Sequence, residues 1–397
     1  MHRRALLTAL VVSVPTAAMP AFAQRITGTV TSAETGDPLA GVFVKALQPD
    51  GQLARAVLTD SAGRFVLQLP RPGAYALAAE RIGQETVEAG PFHVEADQVL
   101  PVKLESPRRP IALEGIEARG ERRCTTRPDR VAGAARVWEE ARKALEVTRW
   151  AAENADLRFQ SSSYRRALDP TLDRVLSQSV HQRHTGGHKP FAIRDPALLA
   201  DSGYAMASGD SIQFYGPDAE VLLSDAFLDH HCFDLTESDD DAGLVGLRFR
   251  PAQRRRQSDI EGTLWIERAT GLLRWLDYSF VDFDHLLPIS RVIEGAHPTA
   301  AVTGRTEFRR LDNGIWIVDR WWIRMPVLGS QAGRVVLTGW AESGGVVLSA
   351  RWKASHESRK KPDVDPRGRH SRNRLQPQAF FLDTCIQCRV PSSTAAR

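Results

Sequence analysis

Several groups of residues in this chain have types and spacings that could support chemistry. His181, His184 and His188 lie three and four residues apart, the interval at which histidines on one helical face gather a metal ion. The residues before them alternate as a strand and run into Gly186-Gly187, so the three side chains scatter and read as exposed loop histidines. His230-His231-Cys232 offers two imidazoles beside a thiol, but an oxidised Cys232 would be lost as a ligand. Gly209-Asp210-Ser211 with Asp282 and His285 imitates the two ends of a Gly-Asp-Ser esterase. Such a nucleophile must follow a buried strand and lead into a helix, whereas Ser211 leads into the strand-like Ile212-Gln213-Phe214-Tyr215, so a turn is the better reading. Glu237-Ser238-Asp239-Asp240-Asp241 lacks the spaced ligands of a calcium loop. Cys385-Ile386-Gln387-Cys388 has redox spacing without the strand–helix setting that lowers a thiol's pKa. A zinc hydrolase would need a His-x-x-Glu pair, and none occurs. No catalytic residue, metal ligand or cofactor site is assigned, no phosphate-binding glycine loop is visible, and the leading expectation is a protein that is not an enzyme.

Residues 26–104 consist of short alternating segments separated by turn signals: Thr35-Gly36-Asp37-Pro38, Pro49-Asp50-Gly51, Asp60-Ser61-Ala62-Gly63 and Arg71-Pro72-Gly73. Phe65, Leu67 and Leu69 alternate with Arg64, Val66 and Gln68, and Phe43 and Lys45 with Val42 and Val44, as in strands laid on a core. This spacing predicts a small antiparallel β-sandwich. The stretch resembles the carboxypeptidase regulatory-like domain, a transthyretin-like sandwich of the carbohydrate-binding-like superfamily. Gly28-Thr29-Val30, the run from Thr35 to Val42, the run from Thr59 to Phe65, and Pro72-Gly73-Ala74-Tyr75 carry that likeness. Similar domains precede the plug of TonB-dependent outer-membrane receptors and follow the catalytic domain of some zinc carboxypeptidases, so the resemblance implies an accessory or docking module. A receptor plug and barrel do not fit in the rest of the chain, where fewer than 300 residues remain.

A Pro- and Arg-rich linker is expected over 105–128, in which 111–116 looks like the strand that often follows this domain in receptors. Residues 129–153 then have helical period, with Val131, Ala134, Trp138, Ala141, Leu145, Thr148 and Ala152 on one stripe and Glu139, Glu140, Arg142 and Lys143 largely elsewhere. A hairpin is expected at 157–184 and one or two short helices at 217–233. Strands are expected at 211–215, 243–250, 259–268, 272–281, 302–311, 315–325, 333–340 and 346–352, with hairpin turns at Ala269-Thr270-Gly271 and Asp312-Asn313-Gly314. The fold class is therefore mainly β: a transthyretin-like sandwich followed by an antiparallel meander or half-barrel with one amphipathic helix, spanning 129–353.

Some strands alternate so that both faces are apolar. Ile315, Ile317, Trp321 and Ile323 would point one way and Trp316, Val318 and Trp322 the other; Leu272 and Leu276 would oppose Leu273 and Trp275. Either protein covers the second face or a concave sheet holds an apolar ligand. The segment 259–273, with its acid and Thr-Gly-Leu turn, resembles a hairpin of periplasmic lipoprotein-carrier-like half-barrels. That resemblance implies an acyl-chain groove, here lined by some of Trp265, Trp275, Trp316, Trp321 and Trp322.

Arg3 and Arg4, the apolar run 5–14 and Ala21-Phe22-Ala23 read as a secretory signal over 1–23, too short to cross about 30 Å of hydrocarbon. Export to the periplasm or the outer membrane, with no transmembrane segment after cleavage, is expected. The formal charge of +4 hides an asymmetry, because residues from 351 onward carry 11 Lys/Arg against 4 Asp/Glu; residues 354–397 read as a basic, disordered tail. An oxidising compartment makes disulfides the default for Cys124, Cys232, Cys385 and Cys388. Three connectivities are open, and Cys124 with Cys232 is favoured because both adjoin structured segments. The expected role is non-catalytic binding or scaffolding at the envelope, with an envelope protein, a glycan or a lipid as partner and no nucleic acid. A periplasmic carrier or sensor of a lipid-like ligand is the alternative, and an unrecognised hydrolase ranks behind both.

Overall fold

The computed structural model describes residues 24–107, 113, 124–131, 133–154, 156–186, 194–208, 211–253, 256–283, 285–286, 302–332 and 334–353. The signal sequence, the basic tail, Cys385, Cys388, His188 and Gly209-Asp210 lie outside them.

Seven strands build the N-terminal sandwich: β1 (Arg25–Ser32), β2 (Phe43–Leu47), β3 (Leu53–Leu58), β4 (Arg64–Gln68), β5 (Gly73–Glu80), β6 (Val87–Val94) and β7 (Val99–Ser106). One sheet has the order β4-β1-β7 and the other β3-β2-β5-β6, with β1 and β7 parallel and the remaining pairs antiparallel. Ile26, Val30, Val44, Phe65, Leu67, Tyr75 and Leu77 fill the space between the sheets. Phe43 and Lys45, which alternate with Val44 along β2, are buried as well, and Phe43 joins Ala56 and Leu58 in the core of the second domain.

The partner on that face is α1 (Ala134–Asn154). Beyond it come β8 (Asp156–Leu168), β9 (Val175–Gly186), α2 (Pro196–Ser202), β10 (Ala205–Ser208), β11 (Ser211–Phe214), α3 (Ala219–Leu222) and α4 (Asp225–Leu228). The meander is β12 (His231–Glu237), β13 (Leu244–Pro251), β14 (Asp259–Glu267), β15 (Leu273–Val281), β16 (Thr303–Arg310), β17 (Trp316–Gln331) and β18 (Arg334–Lys353). Its sheet is antiparallel with the order β12-β13-β14-β15-β16-β17-β18-β8-β9, so the first hairpin of the domain adds beside its last strand.

Helix α1 lies between this sheet and the sandwich, and that placement corrects the one-sided stripe. Ala134, Trp138, Ala141 and Leu145 are buried as expected, but so are Val137, Ala144, Val147, Glu140 and Lys143. The charged pair is tolerated because it is satisfied internally. Lys143 Nζ lies 2.7 Å from Glu140 Oε1 and donates to the Gln84 carbonyl at 2.8 Å, while the Gly83 N–H donates to Glu140 Oε2. Alongside, Arg142 Nη2 meets Glu80 at 2.9 Å and Glu139 at 2.7 Å, and Lys45 bridges Glu80 and Glu146. Trp150 stacks edge-on against Phe43 at 5.7 Å and donates to the Ala56 carbonyl. The two turns that the sequence marks as hairpins complete the contact. A Cβ on Gly314 would sit 2.3 Å from the Gly41 Cα, and one on Gly83 would sit 2.2 Å from the Thr270 carbonyl oxygen.

Two strand expectations change. The segments 333–340 and 346–352 are one strand, β18, because Glu342–Gly345 does not break it. The glycines there make room for rings from neighbouring strands: a Cβ on Gly344 would be 2.7 Å from the Tyr164 ring, and one on Gly345 would be 2.3 Å from that of Trp321. Bulges also rephase the alternation. Glu307 pairs with Arg320 but Phe308 with Val318, and Trp265 pairs with Trp275 but Ile266 with Leu273. Each extra residue flips the strand beyond it to the other face. Leu273 and Leu276 therefore share the buried face, with Arg274 exposed.

At the β12 edge, a disulfide joins Cys124 to Cys232. Thr126 forms a bridge with Cys232, Phe233 N–H donates to the Thr125 carbonyl, and Arg127 pairs with Asp225 and Asp229. The end of the expected linker is thus a strap over this edge, and Leu113 within it is fully buried.

Three outcomes test this architecture. Reducing the disulfide, or replacing both cysteines by Ser, opens a loop of 108 residues and is expected to lower unfolding stability by about 4 kcal/mol, read from urea midpoints. Gly314→Ala is expected to cost more than Gly51→Ala, although φ is positive at both, 84° and 81°. Only Gly314 faces another backbone, whereas the space beside Gly51 is open, so the excess over about 1 kcal/mol of turn strain measures docking. Burial pushes the Glu140 carboxyl up from its ordinary value of 4.5, outweighing the lowering by Lys143. A raised carboxyl binds its proton first in the folded state, so its contribution to stability grows as pH falls from above the folded value toward 4.5. The stability difference between wild type and Glu140→Gln should shift toward wild type over that window.

Candidate binding surface

The sheet face that carries α1 is apolar: Leu235, Leu247, Leu264 and Leu276 are register neighbours and all buried. The opposite face has another character. One row across it reads Asp234, Arg248, Thr263, Asp277, Arg305, Trp322, Gly344, Tyr164 and Val180 from β12 to β9. The next row places Trp265 beside Trp275, then Glu307 and Arg320. On the other side lie Arg324, Glu342 and Arg166. Strand alternation brings these residues, distant in sequence, onto one surface.

Arg–carboxylate pairs hold the aromatic rings in place. Asp277 receives both Nε and Nη2 of Arg305, at 2.6 and 2.9 Å, and accepts the Trp275 indole N–H at 2.9 Å. The Arg305 guanidinium lies 5.2 Å from the centre of the Trp275 ring, and the Trp265 and Trp275 centroids are 6.4 Å apart. Glu342 is buried and gathers Arg324 at 2.8 Å, Arg166 at 3.5 Å and the Tyr164 hydroxyl at 3.1 Å. Arg324 sits 5.0 Å over Trp322 and Arg166 4.3 Å over Tyr164. Burial, with the negative charge of Glu342, raises the Tyr164 pKa, so its hydroxyl stays protonated and donates. Asp234 takes Arg248 in the same two-point way, at 2.7 and 2.8 Å. Bidentate pairs of this kind fix geometry as well as charge. The result is a set of half-exposed rings flanked by fixed guanidinium and carboxylate groups.

The five tryptophans named from the sequence do not share one groove. Trp265, Trp275 and Trp322 lie on this outer face. The bulge before Arg320 places Trp321 on the α1 side, in register with Thr306 and Gly345. Trp316 is buried beside Phe43, Lys143 and Val147, in a crevice with a volume of about 10 Å³, room for about one water. Beneath α1 the apolar residues of helix and sheet are packed together.

The histidines whose side chains are described take structural or exposed places, and those of His184 and His188 lie outside the described side chains. His181 is exposed on β9. His231 is buried, with Nδ1 2.9 Å from the Phe227 carbonyl and Nε2 3.2 Å from both the Ile260 carbonyl and Asp259 Oδ1. It ties the start of β12 to α4 and β14, a role with no sequence signal beyond a histidine next to a cysteine. Ser211 opens the second strand of the β10–β11 hairpin, paired with Ser208. Asp282 Oδ atoms are not met by His285, whose Nδ1 lies 2.9 Å from the Asp282 backbone carbonyl. The acidic run ends in an exposed turn, where Gly243 N–H donates to Asp241. Among the described residues no three His, Cys, Asp or Glu side chains form a group able to hold a metal ion. Sequence reasoning missed the Arg–carboxylate lattice, since its members pair across strands rather than along them.

The chain is similar to a putative carbohydrate-binding protein from Bacteroides uniformis, with 11% identity over 65% of this chain and 96% of that one and a TM-score of 0.20. It is similar to a DUF1329 family protein from Desulfovibrio piger, with 9% identity over 54% and 94% and a TM-score of 0.23. A streptococcal ancillary pilin matches at 12% identity and a TM-score of 0.18, over 44% of this chain and about half, 52%, of the pilin. Likenesses of this size do not transfer a fold or a function. No curated protein matches. The family model of the carboxypeptidase regulatory-like domain matches residues 25–105, the span of strands β1 to β7, and that part of the chain is a carboxypeptidase regulatory-like domain.

Proposed function

We propose that this is a non-catalytic binding protein of the cell envelope that takes a saccharide chain on the outer face of its nine-stranded sheet. The observation that carries this reading is the set of Trp265, Trp275 and Trp322, half-exposed on one face and flanked by Arg305, Arg324, Asp277 and Glu342. A sugar ring presents a face of C–H groups and a rim of hydroxyls that both donate and accept. Fixed indole rings match the first, and guanidinium and carboxylate groups match the second. No reacting group is required. The regulatory-like domain is in keeping with a binding role, because it clamps α1 and so holds the sheet from behind. Export by residues 1–23 and an oxidised Cys124–Cys232 pair fit a location outside the cytoplasm, and no helix of the described residues is long and apolar enough to cross a membrane. A hydrophobic-ligand carrier has less support, since among the described residues the apolar side chains of α1 and the sheet pack against each other where an acyl groove would lie.

Binding of the full chain to a panel of soluble envelope polysaccharides, read by affinity electrophoresis, tests this. Trp275→Ala and Trp322→Ala are each expected to weaken the retained polysaccharide about tenfold, or about 1.4 kcal/mol, with unfolding midpoints near wild type. Wild type that retains no polysaccharide, or variants that bind as wild type does, would overturn the reading.

A further inference from the structure

Among the described residues, the nine-stranded sheet has a strap along one edge and no neighbouring strand along the other. At β12 the 124–127 strap supplies backbone partners and a covalent tie. At β9 the strand VLSQSVHQRHTG is 12 residues long and contains no proline, lysine or carboxylate; of the usual means of blunting an edge it has one arginine, Arg183, and the bulge opposite Ala167 and Leu168. Residues 175–182 of β9 are all exposed, on both faces, including Val175, Leu176 and Val180. Leu348 on β18, one strand beyond β8, is an exposed apolar residue too.

Charge divides the sheet in the same way. Strands β12 to β17 carry eight Lys/Arg and eight Asp/Glu, whereas β18, β8 and β9 carry seven against two. Within that basic end, Arg158 on β8 and Arg351 on β18 are direct register partners. Both are exposed, and neither has an ion-pair partner among the described residues. Like charges placed opposite each other are destabilising, unless an anion lies across them.

We infer that the β9 edge is a docking site for an extended, acidic segment of another protein, which adds to the sheet as a tenth strand. Its backbone would take up the N–H and C=O groups on the outer edge of β9, its apolar side chains would cover Val175, Leu176 and Val180, and its carboxylates would lie in the field of Arg158 and Arg351, two and three strands in, or about 10 and 14 Å away. Charge excludes two other occupants. A second copy would set one basic end against another, and residues 354–397 of this chain carry nine Lys/Arg against four Asp/Glu. A lipid surface would answer the charge but leave the backbone edge unpaired.

The test measures fluorescence anisotropy of two labelled decapeptides, alternating Thr-Glu and alternating Thr-Lys, with the full chain. The Thr-Glu peptide should bind at least tenfold more tightly than Thr-Lys, and the double variant Arg158→Glu/Arg351→Glu should reverse that preference. Gln178→Pro and Ser179→Pro separate backbone pairing from charge. Adjacent residues of an antiparallel strand point their N–H groups alternately toward and away from the neighbour. One of the two variants should therefore keep the wild-type unfolding midpoint while losing Thr-Glu binding. Trp275→Ala should bind the peptide as wild type does, so failure of the saccharide reading would leave this one standing. Equal affinity for both peptides, or peptide binding unaffected by either proline, would overturn it. So would binding to phosphatidylglycerol vesicles that survives both prolines, or a β9-dependent dimer that the peptide does not displace.

Discussion

The architecture rests on helix α1 being covered on two faces, by the large sheet and by the N-terminal sandwich. Its apolar stripe meets the large sheet, as an amphipathic helix should, but its charged side meets the N-terminal sandwich rather than water. Burying Glu140 and Lys143 is tolerable only because each is answered, by the other and by the backbone of Gly83 and Gln84. The same surface holds the Lys45–Glu80–Arg142–Glu146 network and two backbone-to-backbone approaches, at Gly41 with Gly314 and at Gly83 with Thr270. Removing the sandwich would leave those charges and Phe43's partner Trp150 to solvent. The regulatory-like domain therefore acts as half of the helix's binding pocket.

The sheet gains a free outer face as a result. Because the sandwich and α1 both lie behind it, no domain of the described residues packs over the Trp–Arg–carboxylate lattice. Rigidity at the back and fixed side chains at the front favour binding with little reordering, which limits the entropic cost of association. The strap at β12 adds to this by closing the edge nearest the sandwich linker, while β9 projects at the far end with charge of one sign.

Much of this was legible along the chain. Turn residues at regular intervals and period-two alternation announced the sandwich, and its family resemblance agrees with the family model's match over residues 25–105. The helix at α1, the hairpins at Gly271 and Gly314 and the pairing of Cys124 with Cys232 were also readable, since each depends on local pattern or on compartment chemistry. Where reading failed, the cause was a contact between distant residues. The gap left between the expected strands 333–340 and 346–352 is continuous strand, and Gly344 and Gly345 within it leave the space that the rings of Tyr164 and Trp321 need. Trp316 and Trp321 were set on opposite faces by counting in twos, and one bulge put them on the same side.

The order of side chains along the polypeptide was sufficient for the N-terminal sandwich, the type of most elements and the lack of a His-x-x-Glu zinc pair, because backbone propensity and periodicity act over a few neighbours. Which face of each strand is covered, and by what, was a tertiary matter. Asp277 and Arg305, or Glu342 with Tyr164, lie 28 and 178 residues apart and meet only through strand register. Register depends on bulges, and the fate of α1's charged side depends on a second domain docking against it; neither is encoded in a local window.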